Sequence, residues 1–433
     1  MTETAAVRWS IARRIWFRWA FVYILLYVLP WPLDLLPGLG RVWDRYNQLW
    51  IKLTQFVGNR LLQLPVDLSS IPANGTGDST FSYVQMLCAS GVSVILAVIW
   101  CWIGRNRQEY RREHDLLYLA LRYFLASQMF VYGMVKVIKD QFPDLSLDRL
   151  VQPFGDASPM GLLWTFMGFS TAYTAFAGAM EVIGGTLLLF RRTTVLGALV
   201  LVVVMGNVVL LNFCYDVPVK IHSTHLLLFA VWLVAPHLPR LLAVILGQAV
   251  QAVPEQETIT HTRRVVIGMH LLKIIMIAVI VIPPTLFAWR DPRHRAARPP
   301  FPDHYGIYEV EHFVRNDEVL PPVFSMGSRW RRVIVNQYGK FAIQFADDHV
   351  TRFQMEEDKA LQRVTLIPYE GEDPKDVKEK YSLSFVHLSA DVSNLEGSIR
   401  GERIKARLHR VPVRPFFLTS RGFHFSNEVY LNR

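Results

Sequence analysis

The sequence predicts a polytopic α-helical membrane bundle of about seven transmembrane helices, followed by a C-terminal antiparallel β-sandwich or small β-barrel. Three observations carry this. The 433 residues are 52% hydrophobic and 19% charged, with a mean hydropathy of +0.23, too apolar for a chain that is soluble throughout. Apolar windows of membrane length recur up to residue 290 and then stop. The net charge of +10 belongs to the same apolar part: residues 300–433 carry 19 basic and 19 acidic side chains, leaving 27 basic against 17 acidic before them. Basic residues collect at the cytoplasmic ends of membrane helices, so the charge reports topology and no nucleic-acid partner is expected. Three cysteines without a CxxC pair exclude a disulfide framework and a cysteine-rich zinc site.

A hydrocarbon slab about 30 Å thick takes roughly 20 apolar residues per helix. Seven windows meet this: 15–36, 81–103, 116–139, 170–189, 195–213, 222–241 and 265–287. Pro30 and Pro32 shorten or bend the far end of the first. Gly168-Phe169-Ser170 separates a short approach segment from the fourth, and Arg191-Arg192 closes it. Between the first two windows, residues 42–64 have apolar positions at helical spacing with charges between them, as in an amphipathic helix lying on the outer interface or a helical loop cap packed on the bundle. The chain divides into an N-terminal transmembrane hairpin with this outer segment (1–115), a four-helix transmembrane core (116–250), a seventh helix (251–290) and an extracytoplasmic β domain (300–433).

Arginine-rich short loops at 8–18, 105–112, 191–192 and 240–264 place the N-terminus in the cytoplasm of an inner-membrane protein. The run Arg290 to Arg298 argues the other way. The first apolar run has full length and no small-residue cleavage site, so it is expected to stay as an anchor.

After Pro299-Pro300 the texture changes. Runs rich in Val, Ile, Tyr and Phe at 306–310, 330–335, 340–345, 364–368, 381–387, 397–408 and 416–419 are separated by turn residues at 336–339, 347–348, 371–374, 394–397 and 421–422, the pattern of an antiparallel sandwich or barrel.

Ionisable groups inside a span cost at least about 2.5 kcal/mol, so each is a functional candidate. Gln128, Tyr132 and Lys136 recur every fourth residue and share one helix face. Glu181 lies mid-span beside Gly178, Gly184 and Gly185, which allow close helix approach; its carboxylate is expected inside the bundle, protonated or paired with Lys136 or Lys220. Asn207, Asn212, Asp216, Lys220 and His222 are expected to converge at a polar mouth, turned by Pro218. A structural salt bridge, a snorkelling lysine and a self-paired Asp–Lys loop are the plainer readings of the same residues. His294, His304 and His312 have no metal-motif spacing, and no metal site is expected. The sequence has no phosphate loop, no GxGxxG after a strand and no HExxH, which argues against nucleotide-driven transport.

The stretch 123–239, about a quarter of the chain, resembles the DoxX-like bacterial membrane proteins. The resemblance rests on Tyr132-Gly133-Met134-Val135-Lys136, on Glu181 to Leu189 closing on Arg191-Arg192, on Gly197-Ala198-Leu199, and on Asn212 with Asp216 to Lys220. It implies a four-helix core and, as in some relatives, quinone or redox-partner association. More distantly, the bundle-plus-β layout and Lys136 after Tyr132-Gly133 are similar to the vitamin K-dependent carboxylase-like proteins, which implies Lys136 as a base.

The leading expectation is an inner-membrane protein that binds a quinone or another lipophilic small molecule between its third to sixth helices. Lys136 and Glu181 are the candidate chemical groups, and Gln128, Tyr132, Asn207, Asn212, Asp216, Lys220 and His222 the candidate ligand-binding groups. The surroundings are membrane lipids, with a protein partner engaged through the β domain. The alternatives are a non-catalytic accessory or scaffold subunit, and the carboxylase-like enzyme.

Overall fold

The computed structural model describes residues 9–35, 38–64, 66, 77–250, 263–297, 304–323, 327–358, 361–368, 379–411 and 416–420. The turns expected at 371–374 and 421–422 lie outside them, as does the side chain of His294. The chain forms two compact units: residues 1–141 with 172–289, and residues 142–171 with 290–433.

The first unit is helical. It contains α1 (Ile11–Val28), α2 (Gly40–Phe56), α3 (Thr80–Ile103) and α4 (Arg111–Val137). Two short helices of the second unit follow, α5 (Leu147–Val151) and α6 (Pro159–Phe169), and the helical unit resumes with α7 (Thr171–Leu188), α8 (Thr194–Cys214), α9 (Lys220–Val234), α10 (Leu238–Ile245) and α11 (Arg263–Ala297). Ser10, Ser79 and Ser158 cap α1, α3 and α6, each side chain accepting a backbone N–H three residues on. Ser170 breaks the chain between α6 and α7 where the sequence places the break.

Among the described residues, four helical segments are long and apolar enough to cross a membrane: Thr80–Ile103, Thr194–Cys214, Lys220–Ile245 and Arg264–Arg290. The expectation of seven is met only to that extent, and the reason is physical. Hydropathy finds helices whose sides face an apolar solvent. The helix α4 is instead central, burying Leu121 to Ser127, Met129, Phe130, Gly133 and Lys136. Together with α1 (buried Arg18) and α7 (buried Glu181) it carries charge inward. The core of this unit runs through Phe17, Leu121, Leu125, Met129, Leu188, Leu201 and Leu233.

The second unit is an eight-stranded antiparallel barrel. Its strands are β1 (Gly306–Arg315), β3 (Trp330–Val335), β4 (Lys340–Phe345), β5 (Val350–Asp358), β6 (Arg363–Pro368), β7 (Tyr381–His387), β8 (Val392–Ile399) and β9 (Glu402–Val411), with the two-residue β2 (Glu318–Val319) turned back on β1. Each strand pairs with its neighbour in sequence, and β1 closes on β9 from Ile307↔Val411 to Arg315↔Ile404. Closure removes the sheet edges, and of the two expected architectures the barrel is the one found. Alternate residues point inward and fill it, among them Tyr308, Phe313, Val333, Phe341, Leu366, Phe385 and Leu408. On the outer face Ile307, Ile334 and Ala342 pack against Leu147 of α5.

Two expected strands need correction. The run 397–408 is two strands, because Arg400 and Gly401 turn with φ of 53° and 78°, and the turn expected at 394–397 is instead paired strand within β8. Residues 416–419 fall in a single helical turn, α12 (Phe417–Ser420).

Candidate functional site

The site starts from two glycines. A Cβ on Gly178 would stand 2.5 Å from the Gly133 carbonyl oxygen and 2.7 Å from Lys136 Cβ; a Cβ on Gly133 would meet the Gly178 oxygen at 2.8 Å. Only bare backbone lets α4 and α7 approach this closely. Three residues beyond each glycine, on the same helix face, stand Lys136 and Glu181. Lys136 Nζ donates to Glu181 Oε1 at 2.8 Å and Oε2 at 2.9 Å. Both residues are buried, 8% and 2% exposed. Each charge therefore has its compensating partner inside the bundle. The same device repeats above: a Cβ on Gly185 would touch Met129 of α4, and Gly184 and Gly197 hold α7 against α8.

A row of hydroxyl and imidazole groups adjoins the pair. Tyr132, one turn before Lys136, has its ring centroid 5.9 Å from Lys136 Nζ and 5.7 Å from the His222 ring. His222 Nδ1 lies 3.1 Å from the Tyr27 hydroxyl, while its Nε2 is sealed and meets no hydrogen-bonding group among the described residues. Tyr27 stacks flat on His225 at 4.0 Å. His225 Nδ1 is 2.7 Å from the Ile221 carbonyl, and its Nε2 is 2.8 Å from the Tyr23 hydroxyl. A carbonyl only accepts, so Nδ1 carries the hydrogen and Nε2 accepts from Tyr23. The row links α4, α9 and α1 and ends on Tyr132, which is 37% exposed.

The expected mouth is arranged differently. Asp216 is exposed, has φ of 51° and bonds Lys220 Nζ at 2.8 Å. Asn212 is buried and donates to Ser223 Oγ at 3.0 Å. Asp78 closes this turn: its carboxylate accepts the backbone N–H groups of Lys220 (2.7 Å) and Ile221 (2.9 Å), capping α9 from outside the helix. Asn207 is exposed on α8, and Gln128 is half-buried one turn before Tyr132. Tyr132, Lys136, Glu181 and His222 thus come together, while Asn212, Asp216 and Lys220 belong to a stapled turn.

Sequence reasoning missed Tyr23, Tyr27, His225 and Asp78. A signal existed for the first three: Tyr23 and Tyr27 are four apart, and His222 and His225 three apart, so each pair shares a face of an otherwise apolar helix. Asp78 acts through a contact about 140 residues distant in sequence, which no local pattern announces. Among the described residues no three His, Cys, Asp or Glu side chains form a metal cage. His304 is stacked on Phe385 at 4.0 Å, 3.3 Å from Glu357.

The second unit has its own polar junction. Asp148 of α5 accepts from Asn336 Nδ2 at 3.0 Å and from Arg352 Nε at 2.8 Å, while Asn336 Oδ1 accepts the Leu147 N–H at 2.7 Å. Burial alone would push the Asp148 carboxyl up, but hydrogen bonding from Ser146 and Arg352 and the arginine's charge outweigh it, holding it below the ordinary carboxylate range.

Fold and site define a class: a helical unit with membrane-length segments and a buried ion pair, joined in one chain to a closed β-barrel. The uncharacterized protein YwoB of Bacillus subtilis (strain 168) is 36% identical over 126 residues, 29% of this chain and 77% of that protein. The chain belongs to the family of that protein. No family model matches it, and no solved structure matches.

Proposed function

We propose that this is a DoxX-like integral protein of the inner membrane, with a cytoplasmic N-terminus and seven spans, that binds a quinone-type lipophilic molecule at the group formed by Tyr132, His222 and the Lys136–Glu181 pair. The observation that carries the reading is the grouping itself. A buried ammonium–carboxylate pair adjoins a half-exposed phenol and an imidazole whose Nε2 has no partner among the described residues. Quinone carbonyls accept hydrogen bonds and quinol hydroxyls donate them, and a tyrosine hydroxyl and an imidazole nitrogen complement both forms. The Lys136–Glu181 pair fixes the α4–α7 crossing and polarises the Tyr132 end of the row. The β unit serves as the protein-binding part of the chain.

A non-catalytic accessory role is favoured by one observation, that Lys136 satisfies both Glu181 oxygens without a ligand. The carboxylase-like reading would require Lys136 to lose that partner before it could act as a base, and the paired geometry does not favour it.

Organic extraction of purified chain followed by mass spectrometry tests the proposal. A quinone retained by the wild type and by Asp216→Asn, and lost from folded His222→Leu, supports it. A bundle that never carries one favours the accessory role.

A further inference from the structure

Two buried arginines show how this chain normally treats an enclosed guanidinium. Arg18 donates to the Tyr110 hydroxyl, to Cys101 Sγ at 2.8 Å and to the Gly104 carbonyl at 3.0 Å. Arg329, buried just before β3, donates to the carbonyls of Leu320, Trp330 and Val310 at 3.0 to 3.1 Å. Arg122 breaks the pattern. It is 6% exposed at the middle of α4, and its Nε is sealed with no acceptor. The Tyr123 ring lies 4.9 Å from its Cζ, and the Tyr118 phenol, one turn earlier on α4, is within electrostatic range. Among the described residues no carboxylate, carbonyl or hydroxyl accepts from it. An unpartnered cation is among the costliest groups a bundle can hold, and the four N–H groups on the two terminal nitrogens, which are not sealed, are left for an acceptor from elsewhere.

The surroundings say which kind of acceptor. Helix side chains lean toward the N-terminus of their helix, so Arg122 reaches toward the Arg111 end of α4. From Leu116, where the apolar stretch of α4 begins, to Arg122 is roughly 9 Å of helix, within reach of a long side chain from an interface. The helices α4 and α7 run antiparallel, with Gly178 against Gly133 and Gly185 against Ala126 and Met129. Continuing that register brings residues 190–192 to the level of Arg122. Arg112 near the start of α4 and Arg191-Arg192 after α7 therefore stand at the same end of the crossing, where Arg111 is paired with Glu109 and Arg107 with Glu113. Basic pockets between membrane helices on such an end are suited to phosphate head groups, and a guanidinium fork matches phosphate oxygens two at a time.

We propose that Arg122 seats the phosphate of an anionic phospholipid drawn from the leaflet at the arginine-rich end of the bundle. This site is separate from the Lys136–Glu181 group, 14 residues or roughly 21 Å further along α4. It stands whether or not that group binds a quinone.

The test uses the full chain, purified and delipidated, in phosphatidylcholine nanodiscs with and without phosphatidylglycerol, and in phosphatidylcholine with added inorganic phosphate. Thermal unfolding and native mass spectrometry read the outcome. The wild type is expected to unfold at a higher temperature with phosphatidylglycerol and to retain that lipid in the spectrometer. Arg122→Met should lose the increment, yet be at least as stable as the wild type in phosphatidylcholine alone, because the unpaired charge is gone. Arg122→Lys, which keeps the charge but not the fork, should bind phosphatidylglycerol about tenfold more weakly. Equal wild-type stability with and without phosphatidylglycerol overturns the proposal. So does an increment that survives in Arg122→Met or that inorganic phosphate reproduces in full, the last outcome assigning Arg122 to free phosphate. Should Arg122→Met not fold, the wild type against Arg122→Lys decides by the same criteria.

Discussion

Lys136 Nζ bonds both carboxylate oxygens of Glu181, at 2.8 and 2.9 Å, across a crossing where the Gly133 and Gly178 backbones touch. Charge pairing and glycine placement are one feature, since any side chain at either glycine would separate the two charges. Removing one partner leaves the other buried and uncompensated. Lys136→Met and Glu181→Gln are each expected to cost about 3–5 kcal/mol of stability. The double change should cost clearly less than their sum, with the coupling read from a double-mutant cycle of denaturant unfolding in detergent. Additive losses would show that the two residues act independently.

The crossing itself is testable without touching a charge. Gly178→Ala places a methyl 2.5 Å from the Gly133 oxygen and should destabilise by about 1–3 kcal/mol. Gly206, on α8, has nothing within 4 Å of the position of its Cβ. Gly206→Ala should be neutral or stabilising by up to about 1 kcal/mol. Thermal unfolding of the two variants side by side separates a packing requirement from a general sensitivity to alanine.

Asp148 joins α5 to the barrel wall through Asn336 and Arg352, and its carboxyl is held below the ordinary range. A carboxyl depressed in the folded state contributes stability that is fully present above its unfolded value, about 3.9, and is lost as pH falls through the folded value. Hydrogen exchange at barrel amides should show wild-type protection falling as pH drops below about 4. In Asp148→Asn that part of the pH dependence should be missing, with lower protection at neutral pH. An unchanged profile in the variant would remove Asp148 from the account.

Arg329, buried just before β3, fastens the β1–β3 connection by donating to the Leu320, Val310 and Trp330 carbonyls. Arg329→Met leaves those buried acceptors unfilled, at about 1–3 kcal/mol for each group that stays unsatisfied. The barrel of this variant should unfold at lower denaturant than the wild type, followed by circular dichroism. Conversely, Arg403, exposed on the barrel surface beside Asp317, should tolerate methionine.

Much of this architecture was legible because it rests on local pattern. Apolar runs marked α3, α8, α9 and α11, and Ser170 marked the break before α7. The pairing of Glu181 with Lys136 was foreseeable because a carboxylate among glycines has few places to go. Three things were hidden. The strand β5 is absent from the expected runs, because Glu356, Glu357 and Asp358 break its apolar alternation although Phe353 and Met355 point into the barrel. Arg400 adopts a backbone conformation that its residue type does not advertise, so β8 and β9 read as one strand. The docking of α5 on the barrel depends on outward-facing Ile307, Ile334 and Ala342, positions that local alternation assigns to solvent. The polar row from Tyr132 to Tyr23 was half visible: His222 stood out at a helix end, whereas its partner Tyr27 lay in a segment that reads as an anchor.

The most direct test of the ligand site is titration of a short-chain benzoquinone into the full chain in nanodiscs, followed by quenching of intrinsic fluorescence. Saturable binding in the wild type, weakened about tenfold or more in folded His222→Leu and Tyr132→Phe as expected for lost buried hydrogen bonds, is the predicted result. Quenching that rises without saturation, as simple partitioning into lipid does, or that is identical in all three proteins, would contradict a quinone site at Tyr132 and His222.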